Sequence, residues 1–281
     1  EDDVRKIIAQ AANEASAINK PATIVVTDRV GNVLAAYRMN GAPLTQRVSS
    51  ERGAVGGLEG LNIPAEFGAI SKALTSVYFS SEGNAFTSRT AGQIVQEHFN
   101  PGDRTSPAGP LFGVQISNLP CSDIAQRFDG GTGPGPHRAP VGLAADPGGI
   151  SLYKLGVPVG AVGVAADEIY GLDANATDRD DNVDERIALA GAFGFLGPAD
   201  RRANVITAGG QQCSLGAQGH RIIAGNDALD VRVSLQNGLH DAVAFSLAPV
   251  GGLLGNHFQL VVGVEHVVVA LRANLGVGIR V

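Results

Sequence analysis

Histidine side chains are the first candidates for metal ligation in this sequence. His98 follows Ala91, Ile94 and Val95 at helical spacing, so its imidazole continues the apolar face of a predicted helix. A histidine in this position can bind a metal ion, or it can pack as a hydrogen-bonded core residue. His137 lies in a Pro-Gly-Pro-His-Arg segment, which predicts a loop that can fold over a pocket or lie on the surface.

Motifs of several enzyme classes are missing. The sequence has no Gly-x-Ser-x-Gly elbow, which disfavours a hydrolase of this type, and it has no Gly-Lys-Ser/Thr phosphate loop. The glycines of residues 156–163 lie in a predicted strand and do not form a dinucleotide-binding turn. In the C-terminal region, the histidines are too widely spaced for a zinc motif; they are His220, His240, His257 and His266.

The acidic tract between residues 173 and 186 only partly matches a calcium loop. Oxygen-bearing residues stand at loop positions 1, 3, 5, 9 and 12, namely Asp173, Asn175, Thr177, Asp181 and Asp184. However, Asp178 stands at position 6, where such a loop needs glycine. The tract is therefore interpreted as a solvated loop in which Asn182 caps the following helix.

Charge and cysteine content restrict the partners and the compartment. The 281 residues include 21 Lys+Arg and 27 Asp+Glu, for a net charge of −6, with no basic cluster, so nucleic acid is not an expected partner. The longest apolar runs are too short or too polar for a membrane span. Cys121 and Cys213 fit no metal motif and form either one disulfide or two buried thiols. Because the chain begins at Glu1, removal of a leader and export are open possibilities.

Periodicity predicts helices and two hairpins. The helices begin near residues 2, 67, 87 and 183 and end near residues 20, 78, 100 and 193. Strands at 22–27 and 33–37 form a first hairpin, and strands at 150–153 and 157–165 form a second. Residues 40–64 are predicted as loop because they are rich in glycine, proline and polar residues.

Two regions depart from this compact pattern. Residues 100–149 are rich in proline and glycine but contain an apolar stretch at 111–116, which predicts a long ordered insertion. After Thr207 the sequence turns to β-favouring tracts. We therefore predict a domain over residues 1–206, with the insertion at 100–149, and a β-rich extension over 207–281.

Separated blocks of the sequence resemble the GlcG/HbpS family of haem-binding proteins. They are Val-Val-Thr-Asp-Arg-Val-Gly-Asn-Val-Leu at 25–34, Arg-Met-Asn-Gly-Ala at 38–42, Lys-Ala-Leu-Thr at 72–75, Pro-Gly-Gly at 147–149 and Gly-Val-Pro-Val-Gly-Ala-Val-Gly-Val at 156–164. The resemblance covers about residues 4–195, with residues 100–146 as an enlargement. Departures are Asn40, where compact members have Asp, and Ala165-Ala166, where they have Ser-Gly.

This resemblance implies an α+β fold, an antiparallel sheet between helices in three layers. It also implies frequent homo-oligomers, haem binding in some members and a periplasmic or extracellular location, with a cytoplasmic one as the alternative. A haem site needs an iron donor, an apolar slot and cations for the propionates. Candidate residues are Arg38, Met39, Lys72, His98, His137, Gly148, Gly149 and Tyr153, with His98 as the candidate iron ligand.

Each of these residues also has a structural interpretation. Met39 and Tyr153 can be core residues, Arg38 and Lys72 can pair with neighbouring carboxylates, and the Gly148-Gly149 pair can simply turn the chain.

Three hypotheses about function remain open at this point. The first is a haem-binding or haem-handling protein with a pocket between helices and sheet. The second is an enzyme that acts on a small acid or aromatic ligand through Lys72 or Tyr153, and the third is an oligomeric structural protein.

Overall fold

The computed structural model describes residues 1–50, 55–99, 104–118, 139–173 and 182–208, together with short strands between residues 211 and 273. The chain divides into two compact units, residues 1–220 and 221–281. Our predicted boundary at Thr207 remains a prediction about domain organisation.

The first unit alternates helices and strands. Among the described residues, its α-helices are α1 (Asp2–Ala17), α2 (Ala65–Phe79), α3 (Ser88–Ile94) and α4 (Val183–Gly191). Its main strands are β1 (Thr23–Asp28), β2 (Val33–Arg38), β3 (Thr45–Ser49), β4 (Asn62–Pro64), β5 (Gly149–Lys154), β6 (Val157–Ala165) and β7 (Ile169–Gly171). A two-residue pair, β8 (Thr207–Ala208) and β9 (Gln211–Gln212), follows. The helix starts and both hairpins lie within a few residues of the predicted positions.

The central sheet is antiparallel and has the order β2-β1-β6-β5. Ile24 on β1 lies opposite Tyr37 on β2 and Val164 on β6. Side chains on this face pack against Ala11 of α1 and Ala188 of α4 in one apolar cluster. Because side chains alternate along a strand, Val25 points to the other face and packs against α2. The predicted three-layer α+β fold is therefore confirmed.

Helix α2 lies unusually close to the sheet. A Cβ atom added to Gly163 on β6 would overlap the carbonyl oxygen of Ala69 and would come within 2.9 Å of the Ala73 amide nitrogen. Small side chains from both layers fill this interface; they are Ala73 and Ala161 alongside Val77, and Ala65, Ala69 and Ala165 alongside Val25. Only a sheet without bulky side chains on this face allows such close packing.

The prediction of loop over residues 40–64 is wrong in part. This stretch supplies β3 and β4, which form a second, three-stranded sheet in the order β4-β3-β7. Strand β3 is parallel to β7, with Val48 opposite Tyr170. The buried side chains of β3 include Gln46, which donates to the carbonyl oxygen of Ile169 at 3.0 Å. A polar residue on the buried face hides the alternation that would have predicted this strand.

Helix α3 ends earlier than predicted, at Ile94, so His98 does not lie on a helical face. The insertion provides the reason. Backbone amides of Gly109 and Leu111 donate to the carbonyls of Gln96 and Ile94, both at 2.9 Å, and replace the partners that a continuing helix would supply.

The described part of the insertion, residues 104–118, has no helix or strand. Ile116 is buried with Ile94, Val95 and Phe99, while the side chains of Leu111, Phe112 and Val114 are exposed. The apolar stretch 111–116 therefore joins the core at one end only.

The second unit contains an antiparallel sheet of four strands, and the β-rich extension over residues 207–281 remains a prediction. Its strands, in sheet order, are β10 (Asp230–Ser234), β11 (Ala242–Ala248), β12 (Phe258–Gly263) and β13 (Arg272–Ala273). Among the residues that the structure describes, no helix is long and apolar enough to cross a membrane.

Candidate functional site

Lys72 lies at the centre of a fully buried charge cluster. Helix α2 places its ammonium group between Asp146 and Asp184, with 2.5 Å from Lys72 Nζ to Asp184 Oδ2 and an equally close ion pair to Asp146. The Lys72 side chain is 0% exposed. Neutralisation by two carboxylates explains how a charge survives inside this core.

The two carboxylates also bind backbone from distant segments. Asp184 Oδ1 accepts from the amides of Ala166 at 2.7 Å and Asp167 at 3.2 Å, while Asp146 Oδ1 accepts from the Gly171 amide at 3.2 Å. The cluster therefore joins α2 to α4, to the end of β6, to β7 and to the end of the insertion. Such a cluster is structural, because each charged atom serves a contact within the protein.

Burial and charge balance shift the ionisation of this cluster. Desolvation raises the pKa of Asp184 to about 6, although Lys72 opposes the shift, and Asp167 adds to it as a like charge. Desolvation also raises the pKa of Asp146 well above its usual value, against the pull of Lys72. The negative charge of Asp146 and Asp184 keeps the pKa of Lys72 above its usual value despite complete burial. One ammonium group thus pairs with two carboxyl groups. The two carboxyls together bind a proton more tightly than free carboxyl groups in water do.

Arg89 on α3 forms a second buried ion-pair group. Its Nε donates to Glu185 Oε2 at 2.9 Å, and its Nη1 pairs with Asp173. Asn182 caps α4, as predicted, by accepting from the Glu185 amide at 2.9 Å. The first turn of α4 therefore directs two consecutive acids, Asp184 and Glu185, to two different buried cations.

Gly148 and Gly149 make room for this cluster. Gly148 has a φ of +116°, and a Cβ there would come within 2.7 Å of Asp184 Cβ. A Cβ on Gly149 would overlap the Lys72 carbonyl oxygen. The pair thus lets β5 pass close to α2 and α4, which supports the turn interpretation.

Arg38, Met39 and Tyr153 do not converge on Lys72. Arg38 is half-exposed and pairs with Glu66 at 3.0 Å, from its Nη1 to Glu66 Oε1. Met39 is buried in the core between the sheet and α1. Tyr153 is buried, and its hydroxyl lies 2.8 Å from the Ser81 carbonyl and 2.9 Å from the Asn84 carbonyl, in position to donate to them. The site predicted around the helix–sheet interface is therefore not assembled by these side chains.

His98 lies in the turn after α3, where its ring is held by the insertion. Its Nδ1 is 2.7 Å from the carbonyl oxygen of Ser106. Since a carbonyl only accepts, Nδ1 carries the proton, and Nε2 is the nitrogen with a lone pair in the neutral ring. A histidine that donates Nδ1–H to a backbone carbonyl has the arrangement typical of a metal ligand.

Three of our predictions lie outside the described residues. They are His137, the pairing of Cys121 with Cys213, and the middle of the acidic tract. Of that tract, Asp184 is engaged by Lys72 and two backbone amides, which does not suit a calcium ligand. Among the described residues, no group of three or more His, Cys, Asp or Glu side chains could hold a metal ion.

Among the described residues, the space between α2 and the sheet does not fit a haem. Beside β5, a cavity lined by Ala85, Phe86, Ile150, Ser151, Leu196, Gly197 and Arg202 measures about 10 Å³, room for one water molecule. A cofactor pocket needs roughly 300–1,000 Å³. In the described residues, the space between α2 and the sheet is closed by small side chains in direct contact with the helix backbone.

The sequence reasoning identified Lys72 but missed its partners. A lysine in a helix as apolar as α2 must find a carboxylate, and this was the signal available. Nothing in the spacing indicated that Asp146 and Asp184 would supply two, since they lie 74 and 112 residues further along the chain.

Comparison with protein families finds one match. Residues 1–56 match the family described as "Haem degrading protein HbpS-like", which covers α1 and strands β1 to β3. Over residues 1–56, this match confirms the resemblance that we stated from the sequence. In a comparison with curated protein sequences, no relative matched.

Three solved structures show partial similarity to this chain. The PduOC:haem complex is 16% identical, with a TM-score of 0.39, over 69% of this chain and 93% of that chain. Protein ORFY of Klebsiella pneumoniae is 16% identical, with a TM-score of 0.37, over 68% and 86%. A double mutant of Streptomyces reticuli HbpS is 18% identical, with a TM-score of 0.35, over 69% and 84%. TM-scores this low do not establish a shared fold.

Proposed function

We propose that this chain, which is HbpS-like over residues 1–56, binds haem and that His98 is its iron ligand. The observation that carries the proposal is the hydrogen bond from His98 Nδ1 to the Ser106 carbonyl at 2.7 Å. It fixes the tautomer with the lone pair on Nε2, the state in which imidazole binds iron. The family match supports the class of cofactor.

The surroundings of His98 are held by backbone pairing. In addition to the Gly109 and Leu111 bonds, the Phe99 amide donates to the Pro107 carbonyl at 2.9 Å. This pairing holds residues 107–111 beside residues 94–99. His98 itself is only partly buried. A ligand can therefore approach this surface without opening the core.

The adjoining segment offers the remaining groups that a haem requires. Leu111, Phe112 and Val114 are 41%, 58% and 36% exposed, which is unusual for apolar side chains so close in sequence. Arg104 is exposed and lies two residues before Ser106, where its guanidinium can pair with a propionate. Donor, apolar surface and cation thus fit a haem, whose bound iron would supply the redox chemistry.

The hypothesis of an enzyme acting through Lys72 or Tyr153 receives no support from the geometry. A general acid or base must come within hydrogen-bond reach of its substrate. Lys72 is 0% exposed between two carboxylates, and the Tyr153 hydroxyl contacts two backbone carbonyls. A location outside the cytoplasm, which the resemblance implies, is part of the haem proposal.

Titration with haemin tests the proposal. The wild-type chain should give a sharpened, shifted Soret band that saturates at one haemin per chain. His98→Ala should lose this band or weaken binding at least about tenfold, because the loss of one iron ligand is worth more than 1.4 kcal/mol. An unchanged haemin spectrum with wild-type protein would contradict haem binding altogether.

Matched variants distinguish haemin binding at the proposed site from nonspecific binding of haemin to exposed apolar side chains. Phe112→Ser should weaken haemin binding, whereas Leu155→Ser should not, because Leu155 is equally apolar and 99% exposed but lies in the β5–β6 turn. His137→Ala controls for the other candidate histidine. If His137→Ala removes the Soret band and His98→Ala does not, the ligand is His137 and the assignment to His98 is wrong.

A further inference from the structure

Gly109 lies where the insertion packs against the end of α3. A Cβ atom added to Gly109 would overlap the carbonyl oxygen of Ile94 and would come within 2.6 Å of the Ile94 carbonyl carbon. These are backbone atoms, which cannot rotate away as the end of a flexible side chain can. Glycine at this position therefore lets the insertion approach α3 more closely than any other residue could.

The close approach holds the two segments side by side through their backbones. The Phe99 amide donates to the Ser106 hydroxyl oxygen at 3.1 Å as well as to the Pro107 carbonyl oxygen at 2.9 Å. The Phe99 side chain is buried in the apolar cluster that includes Ile94 and Ile116. Because His98 directly precedes Phe99, its backbone is fixed on one side by this cluster and on the other by the insertion.

The same pairing places the Ser106 carbonyl oxygen 2.7 Å from His98 Nδ1. Ser106 lies three residues before Gly109, so a displacement of residues 106–109 from α3 would separate this pair. A carbonyl that accepts from Nδ1–H increases the electron density at Nε2 and makes the ring a stronger metal ligand. Gly109 therefore acts on His98 through the position of Ser106.

We propose that Gly109 is a positioning residue for the haem iron ligand, and that the bond it maintains, from His98 to the Ser106 carbonyl, favours ferric over ferrous iron. This inference rests on the proposed function, because it concerns the ligand strength of His98. A stronger imidazole donor stabilises the higher charge of Fe(III) more than that of Fe(II). The reduction potential of the bound iron is therefore lower with the Ser106 contact than without it.

Gly109→Ala tests this inference without changing His98, Ser106 or the exposed apolar side chains. The added methyl group should displace residues 106–109 from α3 and break the bond between His98 and Ser106. We expect the ratio of ferric to ferrous haem affinity to fall at least about tenfold, which raises the midpoint potential by about 59 mV for one electron. Potentiometric titration of the haemin-loaded full chain, followed in the Soret band, measures this.

Ala108→Ser is the matched control, because Ala108 is exposed and directly precedes Gly109. It should keep the midpoint potential and the circular dichroism of wild type. If Gly109→Ala binds haemin with the potential of wild type, the inference is wrong.

A second variant removes the same bond from the side of the histidine. His98→Nδ1-methylhistidine lacks the Nδ1 proton but keeps Nε2 as a ligand, and it requires no substitution in the insertion. Its midpoint potential should rise as in Gly109→Ala, and it decides the question if Gly109→Ala does not fold. A potential equal to that of wild type would show that the Ser106 contact does not set the redox preference of the iron.

The haem-free chain provides a readout that separates this inference from the proposed function. Under mildly alkaline conditions, in which imidazole rings are neutral, long-range ¹H–¹⁵N spectra show which ring nitrogen carries the proton. The His98 signals are those missing from His98→Ala. We expect the proton on Nδ1 in wild type and a shift toward Nε2 in Gly109→Ala.

The two measurements together distinguish the possible failures. The same tautomer in wild type and Gly109→Ala would contradict the positioning role of Gly109, whether or not haemin binds. If the tautomer changes as expected but wild type does not bind haemin, Gly109 does position His98, and the proposed function is wrong together with the redox preference.

Discussion

Lys72 shows how a single buried charge can organise several segments. Because its ammonium is 0% exposed and contacts two carboxylates, its removal leaves Asp146 and Asp184 facing each other without a cation. We expect Lys72→Met to lower the free energy of unfolding by about 3–5 kcal/mol near neutral pH, the usual cost of an uncompensated buried charge. Urea unfolding followed by circular dichroism measures it.

Lys154 offers the matched control. It also pairs with an aspartate, with 2.8 Å from its Nζ to Asp3 Oδ2, but it is 61% exposed. Lys154→Met should therefore cost less than about 1 kcal/mol. If both variants lost the same stability, burial would not be what makes Lys72 important.

Asp184 predicts an unusual dependence of stability on pH. Its pKa in the folded chain is about 6, above the unfolded value of 3.8, because burial outweighs the attraction of Lys72. A carboxyl with a raised pKa contributes stability that is complete below the unfolded pKa and is lost as the pH rises through the folded one. Between about pH 4 and pH 7.5, wild type should therefore lose about 2–3 kcal/mol relative to Asp184→Asn.

The asparagine variant keeps the acceptor oxygen for the Ala166 and Asp167 amides but places an NH2 group where Asp184 Oδ2 accepts from Lys72. The cost of that lost contact does not titrate in the variant, so the pH dependence of the difference reports the Asp184 carboxyl. Asp3→Asn is the control. Its hydrogen bond with Lys154 lowers the pKa of Asp3, so its contribution disappears only under more acidic conditions. A constant difference between wild type and Asp184→Asn over this pH range would contradict the assignment.

For individual residues, the sequence indicated which positions are structurally important, but it did not predict the contacts that these residues make. Lys72, Gly148 and Gly149 were candidate site residues, and in the structure they lie together at a closed ion-pair cluster. Spacing along the chain carries no information about Asp146, because its approach to Lys72 depends on the path of a long insertion.

Close packing between helices and strands depends here on glycines as well as on side-chain contacts. Gly163 allows α2 to rest on β6, and an added Cβ would overlap the Ala69 carbonyl oxygen. We expect Gly163→Ala to destabilise the fold by about 1–3 kcal/mol, the typical cost of overpacking, since a helix backbone cannot move aside as a side chain can. Thermal and urea unfolding both measure this.

Gly83→Ala is the matched control for this prediction. A Cβ at Gly83 would meet only the Ser81 hydroxyl at 3.7 Å, an ordinary contact. Its effect should stay within about 0.5 kcal/mol of wild type. Comparable losses in the two variants would mean that the closeness of α2 to the sheet is not what Gly163 provides.

Helices and strands were predicted correctly where local sequence patterns determine them. They were predicted wrongly where contacts with distant segments determine where they begin and end. The two hairpins and the capped start of α4 follow local patterns and were found. Helix α3 stops at Ile94 because backbone amides from the insertion take its carbonyls, an effect that no window around residue 94 contains. Strand β3 was missed because Gln46 on its buried face hides the apolar alternation, and the carbonyl that accepts from Gln46 belongs to β7, more than 100 residues away.

For the whole molecule, the question is where the first unit ends. Both sheets of strands β1 to β7, the α-helices among the described residues and both ion-pair groups lie within residues 1–206, which was our predicted domain. The compact unit runs to residue 220 and includes the pairing of β8 with β9, in which Thr207 lies opposite Gln212. A chain that stops at residue 206 loses this pair, and a chain that stops at residue 220 keeps it.

We therefore expect the fragment 1–220 to unfold in one cooperative transition, since the described core clusters remain complete in it. The fragment 1–206 should melt several degrees lower, because the strand that pairs with residues 207–208 is gone and the end of the unit frays. Differential scanning calorimetry of both fragments measures this. If the two fragments melt together, the domain ends at residue 206 and the hairpin adds nothing. If the fragment 1–220 melts without cooperativity, the first unit depends on residues 221–281 for its stability, and the two units are not independent.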